Sequence, residues 1–191
     1  MNEKFDFKKF EYYINNLQDM LKNDGIEVLA EKIGMKKSGK YKVEYSNFNC
    51  KDLNDVAGIY IFYIKPKKNQ KLSDLEEQWA NHRDTCTKNK IPKVNASYAE
   101  RLNNSMGNVL YLGKSESNLG GRLREHIKKC AKSTYALKLY AFPNRLDYDI
   151  SYECYYFEKK EDNSAVTQKI LLTLIEKNLH TKLNPIIGTS R

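Results

Sequence analysis

Apolar residues recur along the chain at two spacings. Residues 4–22, KFDFKKFEYYINNLQDMLK, place them at 10, 14, 17 and 21, with 13 and 20 alongside, which predicts a helix stopped by Asn23-Asp24-Gly25. IEVLAEKIG predicts a second, short helix. LAEKIGMKKS resembles the first half of a helix-turn-helix. The following SGKYKVEYSN, however, carries Gly39, Val43 and alternating aromatics and suits a strand, so a plain N-terminal helical extension is preferred.

AGIYIFYI, residues 57–64, is β-branched and aromatic throughout and predicts a central strand. Residues 73–90 open with Ser73 as a cap and an acidic first turn, a helix signature. KIPKVNASYAERLNNSMGN reads as a loop with a short helix. VLYLG, 109–113, is the second strand, 122–140 a helix broken by Pro143, and YDISYECYYFE, 148–158, a third, alternating strand. From Ser164 a long helix runs to Asn184-Pro185. The order implies an α+β fold, a small, mostly antiparallel three-stranded sheet flanked by helices. A helical arm over 1–50 precedes a core domain over 51–191, and a helical insertion at about 65–108 separates the first two core strands.

The chain has 191 residues and a net charge of +9, which favours polyanionic partners, nucleic acid ahead of anionic membrane. No apolar run approaches the roughly 20 residues that span a bilayer, and the N-terminus lacks a signal-peptide apolar region. A cytoplasmic location with reduced cysteines at 50, 86, 130 and 154 is expected. With His82, His126 and His180 scattered, neither a zinc site nor a redox pair is spelled.

The richest stretch is VLYLGKSESNLGGRLREHIKK, residues 109–129. Gly113-Lys114-Ser115 ends like a phosphate-binding P-loop, but the upstream glycine position holds Asn108 and the span between is an apolar strand. A P-loop is rejected. Arg122 and His126 stand four apart, on one face of a helix, with Leu119 and Leu123 turned inward. The basic residues Arg124, Lys128, Lys129, Lys132 and Lys138 suit contact with a nucleic-acid backbone, or simply a solvated face.

Gly58-Ile59-Tyr60 and Tyr111-Leu112-Gly113, followed by Lys114 and LGGRLREH, together resemble the GIY-YIG endonucleases, with YLG in place of YIG. That family places a glutamate on its last helix, a leucine three residues on, a proline nine on and an asparagine twelve on. Glu176, Leu179 and Pro185 match, whereas Gly188 stands in place of the asparagine. The resemblance covers about residues 55–188 and excludes the N-terminal arm.

The resemblance implies a DNA endonuclease that hydrolyses phosphodiester bonds with Mg²⁺ or Mn²⁺ held by Glu176. It implies Tyr60 as the base or water-positioning phenol, with Tyr111 and His126 as second candidates for positioning and proton relay. Arg122 would clamp the phosphate, and Lys114 would lower the Tyr60 pKa. Spacing alone would not make the tyrosines catalytic. On a helical wheel Glu176 sits at the edge of a stripe formed by Leu171, Leu174, Ile175 and Leu179. Gly120 and Gly121 are read as permitting the turn into the helix and His82 and His180 as structural; with the asparagine absent, either Asn184 fills part of its role or none is needed.

The insertion, with Trp79, Arg83 and Arg101, is expected to contact DNA or a second subunit, which leaves a homo-oligomer open. Because restriction-type members carry insertions here, a restriction or defence role is the narrower expectation. Two rivals remain. One is a nucleic-acid-binding protein that keeps the scaffold without cutting, for which Gly188 argues. The other is a structural domain whose basic face serves solubility.

Overall fold

The computed structural model describes residues 6–46, 48–68, 70–85, 90–95, 108–128, 133–158 and 165–188. Helix α1 (Phe7–Asn23) starts where the Asp6 carboxylate accepts the Lys9 N–H at 3.1 Å, and α2 (Ile26–Lys32) follows after Gly25. Two short strands come next, β1 (Met35–Lys37) and β2 (Tyr41–Lys42). The rest of the described framework is β3 (Gly58–Pro66), α3 (Leu75–Thr85), β4 (Val109–Ser115), α4 (Leu119–Ile127), β5 (Tyr148–Phe157) and α5 (Ala165–Leu183).

The three expected core strands stand in the order β5-β3-β4, all antiparallel. Among the described residues the sheet nevertheless has five strands. β1 pairs with residues 155–157 and β2 with residues 151–152, so both lie along the outer edge of β5. The expected three-stranded sheet is thus corrected: residues of the N-terminal extension add two strands to it. Residues 35–42 are extended because Tyr41 and its neighbours find backbone partners on β5, the strand tendency already legible in SGKYKVEYSN.

β3 is apolar or aromatic from Gly58 to Ile64, the stretch in which both its faces are covered, and Lys65 beyond it is exposed. Tyr60, Phe62 and Ile64 face a core shared with Leu75, Trp79, Leu119, Leu123 and Ile127. Ile59 and Ile61 face the opposite core, with Leu21, Leu29, Leu172, Ile175 and Leu179. β4 carries a bulge, since Phe62 pairs with Tyr111 but Tyr63 pairs with Val109. Among the described residues, no helix is long and apolar enough to cross a membrane. Cys50 and Cys154 are free thiols.

Several boundaries differ from expectation. α3 begins after a 3₁₀ turn at Leu72–Asp74 rather than at a Ser73 cap. α4 does not run to residue 140. Its amide Asn118 caps it, it closes at Lys128, and Lys138 has φ 55°, a left-handed conformation that no helix accepts. Lys138 is also buried, not part of a solvated basic face. Gly120 and Gly121 lie inside α4 rather than before it. A Cβ on Gly120 would meet the Cys50 carbonyl at 2.5 Å, so close approach is the reason for that glycine. The short helix expected within the insertion falls on 96–107, outside the described residues.

Trp79 is wholly buried, not a surface contact. Its indole N–H donates to the Pro92 carbonyl at 2.9 Å, and its ring packs edge-on against His82 and Phe142. Trp79→Ala is therefore expected to lower stability by about 3–5 kcal/mol in urea unfolding. A variant that melts like the native protein but binds DNA weakly would contradict this placement.

Candidate active site

Tyr60 on β3, Tyr111 on β4, and Arg122 and His126 on α4 converge at one end of the first core. Tyr60 pairs with Gly113 across the sheet, and the bare glycine leaves room for the phenol. A Cβ there would lie 2.4 Å from Tyr60 Oη. Tyr111 stacks on Tyr60 with centroids 6.2 Å apart and planes 22° apart. The His126 ring sits 5.0 Å from each tyrosine ring and 5.6 Å from Phe62.

The hydrogen bonds assign roles. The Leu137 backbone N–H donates to His126 Nδ1 at 3.1 Å, so the neutral ring carries its proton on Nε2. Nε2–H then donates to Tyr60 Oη at 2.9 Å, and Arg122 Nε–H donates to the same oxygen at 3.2 Å. Burial holds His126 well below the usual imidazole range, with the Arg122 and Lys138 charges acting the same way. Burial likewise pushes the Tyr60 phenol well up, and Tyr111 adds to that. Arg122 is the cation that pulls it down, and Glu176 opposes this pull. The phenol is therefore protonated at neutral pH, while two N–H groups are aligned to receive a negative oxygen.

Arg122 is more constrained than a free phosphate clamp. Its Nη1 bonds Glu125 at 3.0 Å and its Nη2 the Tyr135 carbonyl at 2.5 Å. Three of its N–H donors are thus engaged, leaving two for a ligand. Lys114 does not reach Tyr60. It points to the α5 side of the sheet, where its ammonium bonds Glu116 at 2.8 Å and Thr173 at 2.6 Å. Thr173 precedes Glu176 by one turn of α5, so Lys114 lies toward the Glu176 side of that helix.

Glu176 is half-buried, and its charge reaches Tyr60. The stripe beside it is Leu172, Ile175 and Leu179. Leu171 is only partly buried and Leu174 is 37% exposed, which corrects the wheel drawn from sequence. Among the described residues, no group of three or more His, Cys, Asp and Glu side chains could hold a metal. The donors at hand are the Glu176 carboxylate and phenol oxygens, since Glu125 is tied to Arg122 and both nitrogens of His126 are engaged. Such oxygen donors fit a hard cation that keeps most of its waters and takes substrate oxygens.

Gly188 has φ 81°, and a Cβ on it would meet the Tyr111 ring at 2.8 Å. The Tyr111 ring fills the space where a side chain at 188 would begin. The amide at this corner is Asn95, which donates to the Gly188 carbonyl at 2.8 Å. Asn184 ends α5 with φ 48°, its N–H on the His180 carbonyl. That conformation terminates the helix. His82 is buried and bonds the Leu137 carbonyl at 3.1 Å.

Of the expected nucleic-acid contacts, Arg124 lies half-buried against Cys50 Sγ and Lys128 binds the Ser46 carbonyl at 2.8 Å. Arg83 is half-buried on α3. Arg101, Lys129 and Lys132 lie outside the described residues. Sequence reasoning missed Glu125, legible as the i+3 partner of Arg122. It also missed Leu137, whose N–H sets the His126 tautomer and carries no sequence signal.

No protein-family model, curated protein or solved structure matches this chain.

The folded chain binds protons at His126 and His82 less readily than the unfolded chain, because burial lowers both. The unfolded state therefore takes up more protons below about pH 6.5, and stability is full above that value and falls as pH drops. Melting temperature measured between about pH 7.5 and 5 should decline, and His126→Gln should remove part of the decline while His82 retains the rest. An unchanged slope in the variant would place the titrating group elsewhere.

Proposed function

We propose that this protein is a divalent-metal-dependent endonuclease of GIY-YIG type that hydrolyses phosphodiester bonds in DNA. One observation carries the reading. The buried Tyr60 oxygen accepts from both Arg122 and His126 beside the Tyr111 ring, and the Glu176 charge on α5 acts on it. Three elements distant in sequence, β3, β4 and α4, thereby meet around one phenol.

Phosphodiester hydrolysis needs an activated water, neutralised phosphoryl oxygens and help for the leaving oxygen. Tyr60 is the group that orients the attacking water. To act as its base, the phenol first gives its own proton to solvent; Arg122 and His126, whose N–H donors already point at the oxygen, hold that phenolate until it takes the water's proton and is a phenol again. The remaining Arg122 N–H groups bind a phosphoryl oxygen. Tyr111 fixes the plane of Tyr60 and closes the far side against bulk water. Glu176 would hold Mg²⁺ or Mn²⁺, which when bound supplies charge neutralisation at the phosphate and leaving oxygen. Lys114, tied to Glu116 and Thr173, sets the charge balance near Glu176 rather than at Tyr60. A restriction or defence role is the narrower form of this reading and rests on the insertion between β3 and β4.

Gly188 against Tyr111 favours one alternative, a DNA-binding protein that keeps this scaffold without cutting. Plasmid cleavage with Mg²⁺ or Mn²⁺ separates the two. The native protein should cut, and a chelator should stop it. Glu176→Ala should abolish cutting and leave DNA binding intact. Tyr60→Phe should slow cutting by about 10²–10⁴-fold. Binding without cutting in either metal selects the alternative, and absent DNA binding removes both.

A further inference from the structure

A pocket of about 570 Å³ opens where α4 ends, lined by Tyr45, Ser46, Lys128, Tyr140, Arg145 and Leu146. The lining holds two cations and no carboxylate. The Arg145 guanidinium lies 5.7 Å from the Tyr45 ring centroid and 5.4 Å from that of Tyr140, so one cation holds two rings in place. Tyr140 is nonetheless 51% exposed, a large ring open to solvent at the pocket wall.

A second lobe shares Tyr45, Ser46, Arg145 and Leu146 and adds Lys42, Lys67 and Glu44. Lys67 is anchored to the Leu146 carbonyl at 2.8 Å, and Lys42 pairs with Asp149 at 2.8 Å. The cleft thus combines an exposed aromatic face with a run of ammonium and guanidinium groups. That combination recognises a flat, π-faced group carrying negative charge. A volume of this order accommodates one nucleotide. A base inside a duplex has no free face to offer, whereas an unpaired base does.

We propose that this cleft is a binding site for an unpaired nucleotide, its base stacked on Tyr140 and its phosphate held by Lys128 and Arg145. It lies at the C-terminal end of the helix that carries Arg122 and His126. Lys128 stands six residues beyond Arg122, about 9 Å along the helix axis. The cleft therefore takes a nucleotide near the bond at the catalytic site, but separate from it. The inference rests on the nucleic-acid part of the proposed function and not on cleavage.

The test is binding of a single strand of about a dozen nucleotides carrying 2-aminopurine, in chelator so that no cutting occurs. Tyr140→Ala and Arg145→Ala should each weaken binding about tenfold, and Tyr140→Phe should retain it, since stacking needs only the ring. Native protein should quench the 2-aminopurine fluorescence, and Tyr140→Ala should not. Matching melting temperatures show that the variants fold. The proposal is overturned if both alanine variants bind like the native protein, or if Tyr140→Phe is as weak as Tyr140→Ala. It is also overturned if an acidic peptide competes as well as the strand. Duplex cutting without single-strand binding sinks the pocket and leaves the nuclease reading standing; the reverse result does the opposite.

Discussion

One phenol oxygen, buried and receiving two N–H donors, is the constraint around which the catalytic end of the molecule is built. For Arg122 and His126 to reach Tyr60 Oη together, α4 must lie across β3 with both residues on its inner side. That requires Leu119 and Leu123 to seat in the core and the helix to begin immediately after Asn118. It also requires the chain to return after α4, so that Leu137 can hold the imidazole in one tautomer.

Electrostatics at this point are set by burial more than by pairing. An imidazole surrounded by Tyr60, Tyr111 and Phe62, with Arg122 and Lys138 nearby, stays neutral and acts as a donor. The phenol beside it keeps its proton until charge arrives. A site of this kind is quiet in the free protein, and its donors need no rearrangement when negative charge develops.

The sheet core and its two flanking helices were legible because each is written in one period. GIYIFYI is apolar on both parities, the mark of a strand buried on both faces, and 165–183 carries a helical stripe. Arg122 and His126 were legible by their i, i+4 spacing, Tyr60 and Tyr111 only through the motif resemblance, and the four side chains do meet. What failed depended on contacts between distant segments. β1 and β2 exist only because β5 offers an edge. Lys138, read as a surface cation, is buried, with its charge felt at His126. Trp79 looked like an exposed anchor because nothing local shows that Pro92 and Phe142 enclose it. Lys114 and Tyr60 are near in the register, yet pleat alternation sends them to opposite faces of the sheet.

After α5 the backbone turns at Asn184 and lays residues 186–187 along β4. The Ile186 and Ile187 amides donate to the Val109 and Leu110 carbonyls at 2.9 Å, and Val94 and Asn95 join from the other side. Over that stretch the outermost strand has no open ladder to offer. Self-association by edge-to-edge strand addition is therefore blocked along that stretch.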